Sequence, residues 1–262
     1  MDGYSEVYDN FVFLMITLGK LSGTRYAGCR PGVALYDSGV PDAYENYALL
    51  EPGPFSGGAA DAINRSMCET IRHGLEFFAG NKRAHIWPIF PGVTDEAREI
   101  LEDNGLVRDE DFHAMLAETS ETDPDDADLN LVATISGDNE ACKWAGCAWR
   151  GFDLDGEPPA PFVSNVKGMS RMDAFTLVHI EMKATGMLYS SGINCGAYYV
   201  ATGREFRGQG LAGTIVEGLK SRARRLGFRR VVLLATPSGL RLYRKHGFEE
   251  AGTVEIYRMD CK

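Results

Sequence analysis

The sequence predicts a mixed α/β protein, α+β-like in its alternation of elements, built from two similar units. Three observations predict it. Helix, strand, helix and strand patterns follow in the same order in both halves. Asn104-Gly105-Leu106 stands in the first half where His246-Gly247-Phe248 stands in the second. Between them residues 118–128 are acidic and lack apolar periodicity, which marks a solvated connection. At 262 residues the chain exceeds one ordinary domain, so the units are expected at 1–120 and 121–262.

In chain order, the apolar run at 11–18 is far too short to span a bilayer and reads as a core helix. A helix over 60–79, a strand over 84–90, a helix over 94–104 and a strand over 111–117 follow from periodicity. The second half begins with a strand at 129–135 and a short helix at 141–150. Residues 153–170 hold Pro158, Pro159 and Pro161 and are expected to be a loop. Strands are expected at 174–182, 185–190 and 195–202. Leu211, Ile215, Leu219, Ala223 and Leu226 then recur on one helical face, and Gly227 ends that helix. Residues 231–235 are apolar on both pleat faces, as in a strand covered on both sides. A short helix over 237–246 and a last strand over 253–259 complete the pattern.

Hydrophobic content of 44%, charged content of 24% and a mean hydropathy of -0.20 describe an ordinary globular chain. The acidic N-terminus lacks the basic start of a signal peptide, so a cytoplasmic location without membrane attachment is expected. Six cysteines without CxxC pairs are expected to be reduced thiols, and the dispersed histidines predict no metal site. A net charge of -10 argues against a nucleic-acid partner. Yet residues 204–245 carry eleven Lys/Arg against two Asp/Glu, which suits contact with an anion.

Within that segment Arg207-Gly208-Gln209-Gly210-Leu211-Ala212 lies between a strand and the first turn of a helix. Unpaired N–H groups and the helix dipole attract phosphate there, and glycine allows its close approach. The same glycines, with Gly213, fit the dinucleotide fingerprint of NAD or FAD oxidoreductases, which makes that class a weaker alternative. It requires an acid some 20 residues on to hold the ribose. Residues 218–248 contain no Asp or Glu.

Arg207 to Ala212 resembles the Q/R-x-x-G-x-G/A signature of the GNAT acyltransferase superfamily, and residues 242–248, Leu-Tyr-Arg-Lys-His-Gly-Phe, look like its L-Y-x-x-x-G-F element. The resemblance covers about residues 129–259. More loosely, through Ser38-Gly39-Val40-Pro41 and His85-Ile86-Trp87-Pro88, the first half is similar to the degenerate repeat of two-domain bacterial members. The resemblance implies two GNAT-like units, each a twisted mixed sheet flanked by helices. It further implies that only the second binds acetyl-CoA or another acyl-CoA.

By this resemblance Gly208, Gln209, Gly210, Leu211, Ala212 and Gly213 cradle the CoA pyrophosphate. Val200, Ala201 and Thr202 pair through their backbone with the pantetheine arm along a splayed sheet. Arg207, Arg241, Arg244 and Lys245 stand where they can meet phosphates, and Tyr243 is the general acid for the leaving thiolate. The strand at 195–202 carries no Asp, Glu or His, so the general base stays open among Glu181, Asp173, His179, Tyr199 and water. In the first half Glu51-Pro52-Gly53-Pro54-Phe55-Ser56-Gly57-Gly58 lacks the signature, and Asp61 stands near the helix start where it would repel phosphate. The expected activity is N-acyl transfer, of acetyl in the first instance, to the primary amine of a small molecule or peptide. A non-catalytic acyl-CoA sensor is the alternative, and the oligomeric state stays open.

Overall fold

The computed structural model describes residues 3–29, 32–50, 60–80, 82–91, 93–119 and 131–260. The acidic connection falls almost wholly outside the described residues, as do Glu51 to Gly58 and the Asp61 side chain. The chain forms two compact units, one of residues 1–14 with 113–251 and one of 15–112 with 252–262. These are not the two sequence halves, because a terminal segment of each half lies in the other unit.

In chain order the elements begin with helix α1 (Gly3–Leu18), strands β1 (Arg25–Cys29), β2 (Val33–Asp37) and β3 (Tyr47–Leu50), and helix α2 (Ala60–Ala79). Strand β4 (His85–Ile89), helix α3 (Asp95–Asp103) and strands β5 (Val107–Arg108) and β6 (Phe112–Glu118) complete the first half. The sheet of the unit formed by 15–112 and 252–262 runs β1-β2-β3-β4 and then takes β12 (Glu249–Met259) from the end of the chain, with β5 also on β12. Its pairs are antiparallel except β3 with β4, parallel at Tyr47 and Ile86. Leu35, Ile71, Phe78, Trp87 and Tyr257 form its core. A Cβ on Gly74 would lie 2.6 Å from the Trp87 ring, so glycine lets α2 seat on that indole. The strands at β1, β2 and β3 escape the periodicity because each is only four or five residues long. The turn at Ser38 to Pro41 is held by buried Asn46, whose Oδ1 accepts from the Ser38 N–H at 2.9 Å and whose Nδ2 donates to the Val40 carbonyl at 3.0 Å.

The other unit comprises β7 (Ala133–Thr134), α4 (Gly137–Gly151), α5 (Ala160–Met169), β8 (Phe175–Ile180), β9 (Ala184–Ser190), β10 (Cys195–Thr202), α6 (Leu211–Arg225), β11 (Arg230–Ala235) and α7 (Leu240–Lys245). It also takes β6 from the first half, and its sheet runs β6-β11-β10-β9-β8-β7. Only β10 and β11 are parallel. A doubly wound parallel sheet, which a dinucleotide enzyme of this fingerprint requires, is therefore absent from the described residues. Both sheets share one run: an antiparallel pair, a parallel pair, then an antiparallel pair with a strand from the other half.

Ile215, Leu219 and Ala223 of α6 are buried against Met115, Leu188, Val231 and Leu233, as the periodicity predicts. Leu226 departs from it. The helix ends at Arg225 and Leu226 is 53% exposed. Gly227 follows at φ +89°, the left-handed end that glycine favours. The stretch expected to be a loop at 153–170 contains α5. Pro159 is its N-cap and Pro161 falls in its first turn, where a missing N–H costs nothing. Phe162, Val166 and Met169 bury one face of that helix. Helix α7 starts at Leu240 and not near Pro237, and β12 starts at Glu249, four residues ahead of the expected strand. Of the strand expected at 129–135, Ala133–Thr134 is β7, and 129–130 lie outside the described residues.

Helix α1 docks its N-terminal part on β10. Asn10 is fully buried, accepts from the Tyr198 hydroxyl at 2.7 Å and donates to Asn194 Oδ1 at 2.8 Å. Among the described residues no helix is long and apolar enough to cross a membrane.

Candidate active site

Strand β10 is the organising element. It pairs with β9 from Cys195 to Tyr198, loses register, and resumes at Ala201 with Thr185 and Thr202 with Ala184. Tyr199 lies in the break at φ +51°, a rare conformation for a bulky residue and the mark of a bulge that re-aims the strand. On its other side β10 is paired with β11 at Gly196 and Val232, before the bulge. Ala201 and Thr202 are thus paired on the β9 side, and among the described residues none of Val200, Ala201 and Thr202 has a ladder partner on the β11 side. That edge can take an added strand. Helix α4 closes on the same segment: a Cβ on Gly151 would stand 2.7 Å from the Ala201 Cβ.

Beyond Thr202 a 3-10 turn (Arg204–Phe206) leads to the glycine loop. Gly208 and Gly210 have φ of +77° and +81°, and a Cβ on either would meet nothing within 4 Å. Their backbone demands glycine, while the space before them is open. Gly210 caps α6, whose first helical bond runs from the Thr214 N–H to the Gly210 carbonyl at 3.1 Å. The preceding N–H groups of Leu211, Ala212 and Gly213 have no partner within the helix, and no acid stands in its first turn. Gly213 has a second role. A Cβ there would stand 2.6 Å from Nε2 of His246, so its absence lets α7 close over the start of α6. His246 is in turn held by Glu217 at 2.7 Å through Nδ1.

The four candidate phosphate cations divide. Arg207 donates to the Gly151 carbonyl at 2.9 Å, the Thr202 carbonyl at 3.2 Å and Asp153 at 3.0 Å, tying α4 to the end of β10. Arg207 and Arg204 beside Asp153 hold its carboxyl below the usual range. Arg244 pairs with Glu250 at 2.8 Å. Arg241 and Lys245 are exposed and form no ion pair among the described residues.

Tyr243 lies on α7 with its ring edge-on to Phe248 at 5.6 Å and over Gly239, where a Cβ would touch it at 2.9 Å. The ring is half-buried, and among the described residues its hydroxyl has no hydrogen-bond partner. Burial pushes the phenol well above its ordinary value, so it is a proton donor across the neutral range. Two thiols are close in sequence to these elements, Cys195 on β10 and Cys147 on α4. Burial raises them to about 12 and about 11, which removes both as thiolate nucleophiles.

Of the residues weighed as general base, Glu181 is exposed in the β8–β9 turn and paired with Lys183 at 2.6 Å. Asp173 is exposed ahead of β8, and burial lowers the affinity of His179 for its proton. Tyr199 packs edge-on to Trp144 at 5.8 Å. The pattern of single segments does not reveal one further group. His113 Nδ1 stands 2.7 Å from Glu250 Oε1, and Arg244 binds the other carboxylate oxygen. His113 pairs with Ala235 at the end of β11, beside the loop that leads to α7. A histidine oriented by a carboxylate is an arrangement suited to accepting a proton. Its members are 137 residues apart, so spacing carries no signal of it.

Residues 174–250 match the family model described as acetyltransferase (GNAT) domain. The chain is similar to a solved GCN5-related N-acetyltransferase from Kribbella flavida, with a TM-score of 0.63 and 16% identity over 95% of this chain and 94% of that one. It is also similar to a GCN5-related N-acetyltransferase from Sphaerobacter thermophilus, with a TM-score of 0.59 and 16% identity over 88% and 81% of the two chains. A tandem GNAT protein from the clavulanic acid biosynthesis pathway aligns with a TM-score of 0.56 and 14% identity over 100% and 97%. No curated protein matches the chain significantly. At these identities the solved structures speak to the fold, which is that of the GCN5-related acyltransferases. The domain match is confined to residues 174–250, within the unit that holds β10 and α6.

Proposed function

We propose that this protein is an N-acyltransferase whose unit of residues 1–14 and 113–251 binds an acyl-CoA, acetyl-CoA in the first instance, and passes the acyl group to a primary amine. The observation that carries the reading is the opening of β10 from β11 directly before the glycine loop at the head of α6. The residues present fit the cofactor: two left-handed glycines before open space, unpaired N–H groups and an acid-free first turn.

In this reading the backbone from Gly208 to Gly213 holds the pyrophosphate, and the open edge of Val200 to Thr202 holds the pantetheine amides. Arg241 and Lys245 screen phosphate charge, while Arg207 chiefly fixes α4 to β10. Acyl-CoA supplies an activated acyl group on a thiol leaving group. An amide N–H on the open edge of β10 stabilises negative charge on the acyl oxygen as the amine nitrogen bonds to the carbonyl carbon. As the C–S bond breaks, the Tyr243 hydroxyl gives its proton to the departing sulfur. The proton lost by the amine passes to solvent or through His113. The inert thiols favour this direct attack over an acyl-enzyme. The unit of residues 15–112 and 252–262 takes no part in binding the cofactor.

Calorimetric titration of the full chain with acetyl-CoA, followed by free-thiol release with a panel of amines, tests the proposal. Binding and amine-stimulated release are expected. Binding with no release by any amine leaves an acyl-CoA sensor, and no binding overturns the reading.

A further inference from the structure

The amine acceptor left undefined above is given a chemical class by the turn that leaves α4. This inference rests on the acyltransferase reading. Phe152 follows Gly151, the residue whose backbone meets Ala201 and Thr202, so Phe152 stands at the segment assigned to the pantetheine arm. It is 45% exposed, one of few large apolar side chains left in water among the described residues. An exposed phenylalanine on a loose loop would mean little. This one is fixed from three directions. Arg207 binds the Gly151 carbonyl at 2.9 Å, Arg204 and Arg207 hold Asp153 at φ +61°, and the Trp149 indole donates to the Asp155 carbonyl at 3.2 Å.

The ring is set against the bulge residue, half-buried Tyr199, edge-on at 6.0 Å. Tyr199 is backed in turn by the buried rings of Trp144 at 5.8 Å and Phe162 at 6.0 Å. Two partly open aromatic surfaces thus flank the bulge on a rigid aromatic base, and edge-to-face geometry is how a further ring would add to them. Charge completes the description. Asp155 and Glu157 are exposed a few residues beyond Phe152 and form no ion pair among the described residues, in a chain of net charge -10. An ammonium group is drawn to such a rim.

We propose that the acceptor is an arylalkylamine: a primary amine on a short chain ending in an aromatic ring, the ring lying against Phe152 and Tyr199 and the cation entering past Asp155 and Glu157. A polyamine would satisfy the acids and leave the rings bare. A fatty amine would cover the rings without their edge-to-face preference.

The test uses the full chain, acetyl-CoA and three probes: 2-phenylethylamine, n-hexylamine and spermidine. The expected order of kcat/KM places 2-phenylethylamine at least tenfold above each of the others. Phe152→Ala is expected to reduce the preference for 2-phenylethylamine over spermidine at least tenfold, mainly through KM. Phe152→Leu, which keeps the apolar body and loses the ring, is expected to fall between. Because Phe152 is exposed, folding is checked by an unchanged melting curve. Equal or better use of hexylamine or spermidine overturns the inference while the acyltransferase reading stands. So does a preference untouched by Phe152→Ala, or a variant that alters acyl-chain preference and not amine preference. Acetyl-CoA binding without thiol release by any of the three amines overturns the arylalkylamine assignment, and failure to bind acetyl-CoA overturns both.

Discussion

Gly210 and Tyr243 are the residues on which the proposed chemistry can be most directly challenged. Gly210 stands between strand and helix patterns in the sequence, and in the structure it has a φ of +81° with open space before it. Gly210→Asp adds left-handed strain of about 1–2 kcal/mol and a charge where phosphate is proposed to lie. Acetyl-CoA affinity is expected to fall by ~100-fold or more, as like charge and lost space act together. Gly210→Asn, which tolerates the same backbone, should lose much less in the same calorimetric titration. For Tyr243 the sign of the pH effect follows from burial. The neutral phenol is favoured, so its pKa lies above the ordinary value and the acid stays protonated to at least that value. Single-turnover rates should show no falling limb from this group between pH 8 and pH 10, where an exposed tyrosine would begin to titrate. Tyr243→Phe should lower that rate by ~10²-fold with acetyl-CoA affinity unchanged, and an unaltered rate would remove the hydroxyl from the mechanism. The His113 and Glu250 pair was not legible at all, since its two members are 137 residues apart and meet only in the folded unit.

At the scale of elements, the helices and strands with strong periodicity were readable, notably α2 over 60–79 and β10 over 195–202. Helix α5 was not, because closely spaced prolines signal a loop, while two of the three occupy positions that a helix start tolerates. The bulge in β10 was equally silent. Nothing in Tyr198-Tyr199-Val200 distinguishes it from a regular strand, and the conformation is imposed by the packing of Tyr199 on α4 and α5. What holds β10 on its other face is the docked helix α1. A Cβ on Gly196 would collide with Asn10 Oδ1, so only glycine admits that side chain to the strand. Asn10→Ala removes the acceptor of the Tyr198 hydroxyl and one of the donors to Asn194 Oδ1, and is expected to destabilise the protein by about 1–3 kcal/mol in urea unfolding. Adding Tyr198→Phe should recover part of that loss, because the orphaned hydroxyl is then removed. Equal losses in the single and double variants would deny the coupling.

For the whole molecule, the repeated order of elements was legible and the exchange of strands was not, because apolar patterning says that a strand is covered and not by which partner. Each half donates its last strand to the unit formed mainly by the other. Strand β6 pairs with β11 from His113 with Ala235 to Glu118 with Arg230, and its Met115 and Ala117 enter the core beside Val231 and Leu233. Strand β12 pairs with β4 from Glu255 with Ile89 to Met259 with His85, and Tyr257 is buried there. Cutting the chain after Ser120 would therefore strip β11 of its neighbour and remove α1 from β10 in one piece, and strip β4 of β12 in the other. Each fragment would expose an apolar strand edge, which favours aggregation over folding. Residues 1–120 and 121–262 expressed separately are expected to lack dispersed amide spectra, and the second is expected not to bind acetyl-CoA. Expressed together they should form a one-to-one complex that unfolds in a single transition and regains binding, since every strand pair is then available. A folded 121–262 fragment that binds acetyl-CoA on its own would show that β6 and α1 are dispensable to the site, and would make the exchange an ornament of the fold and not a condition of it.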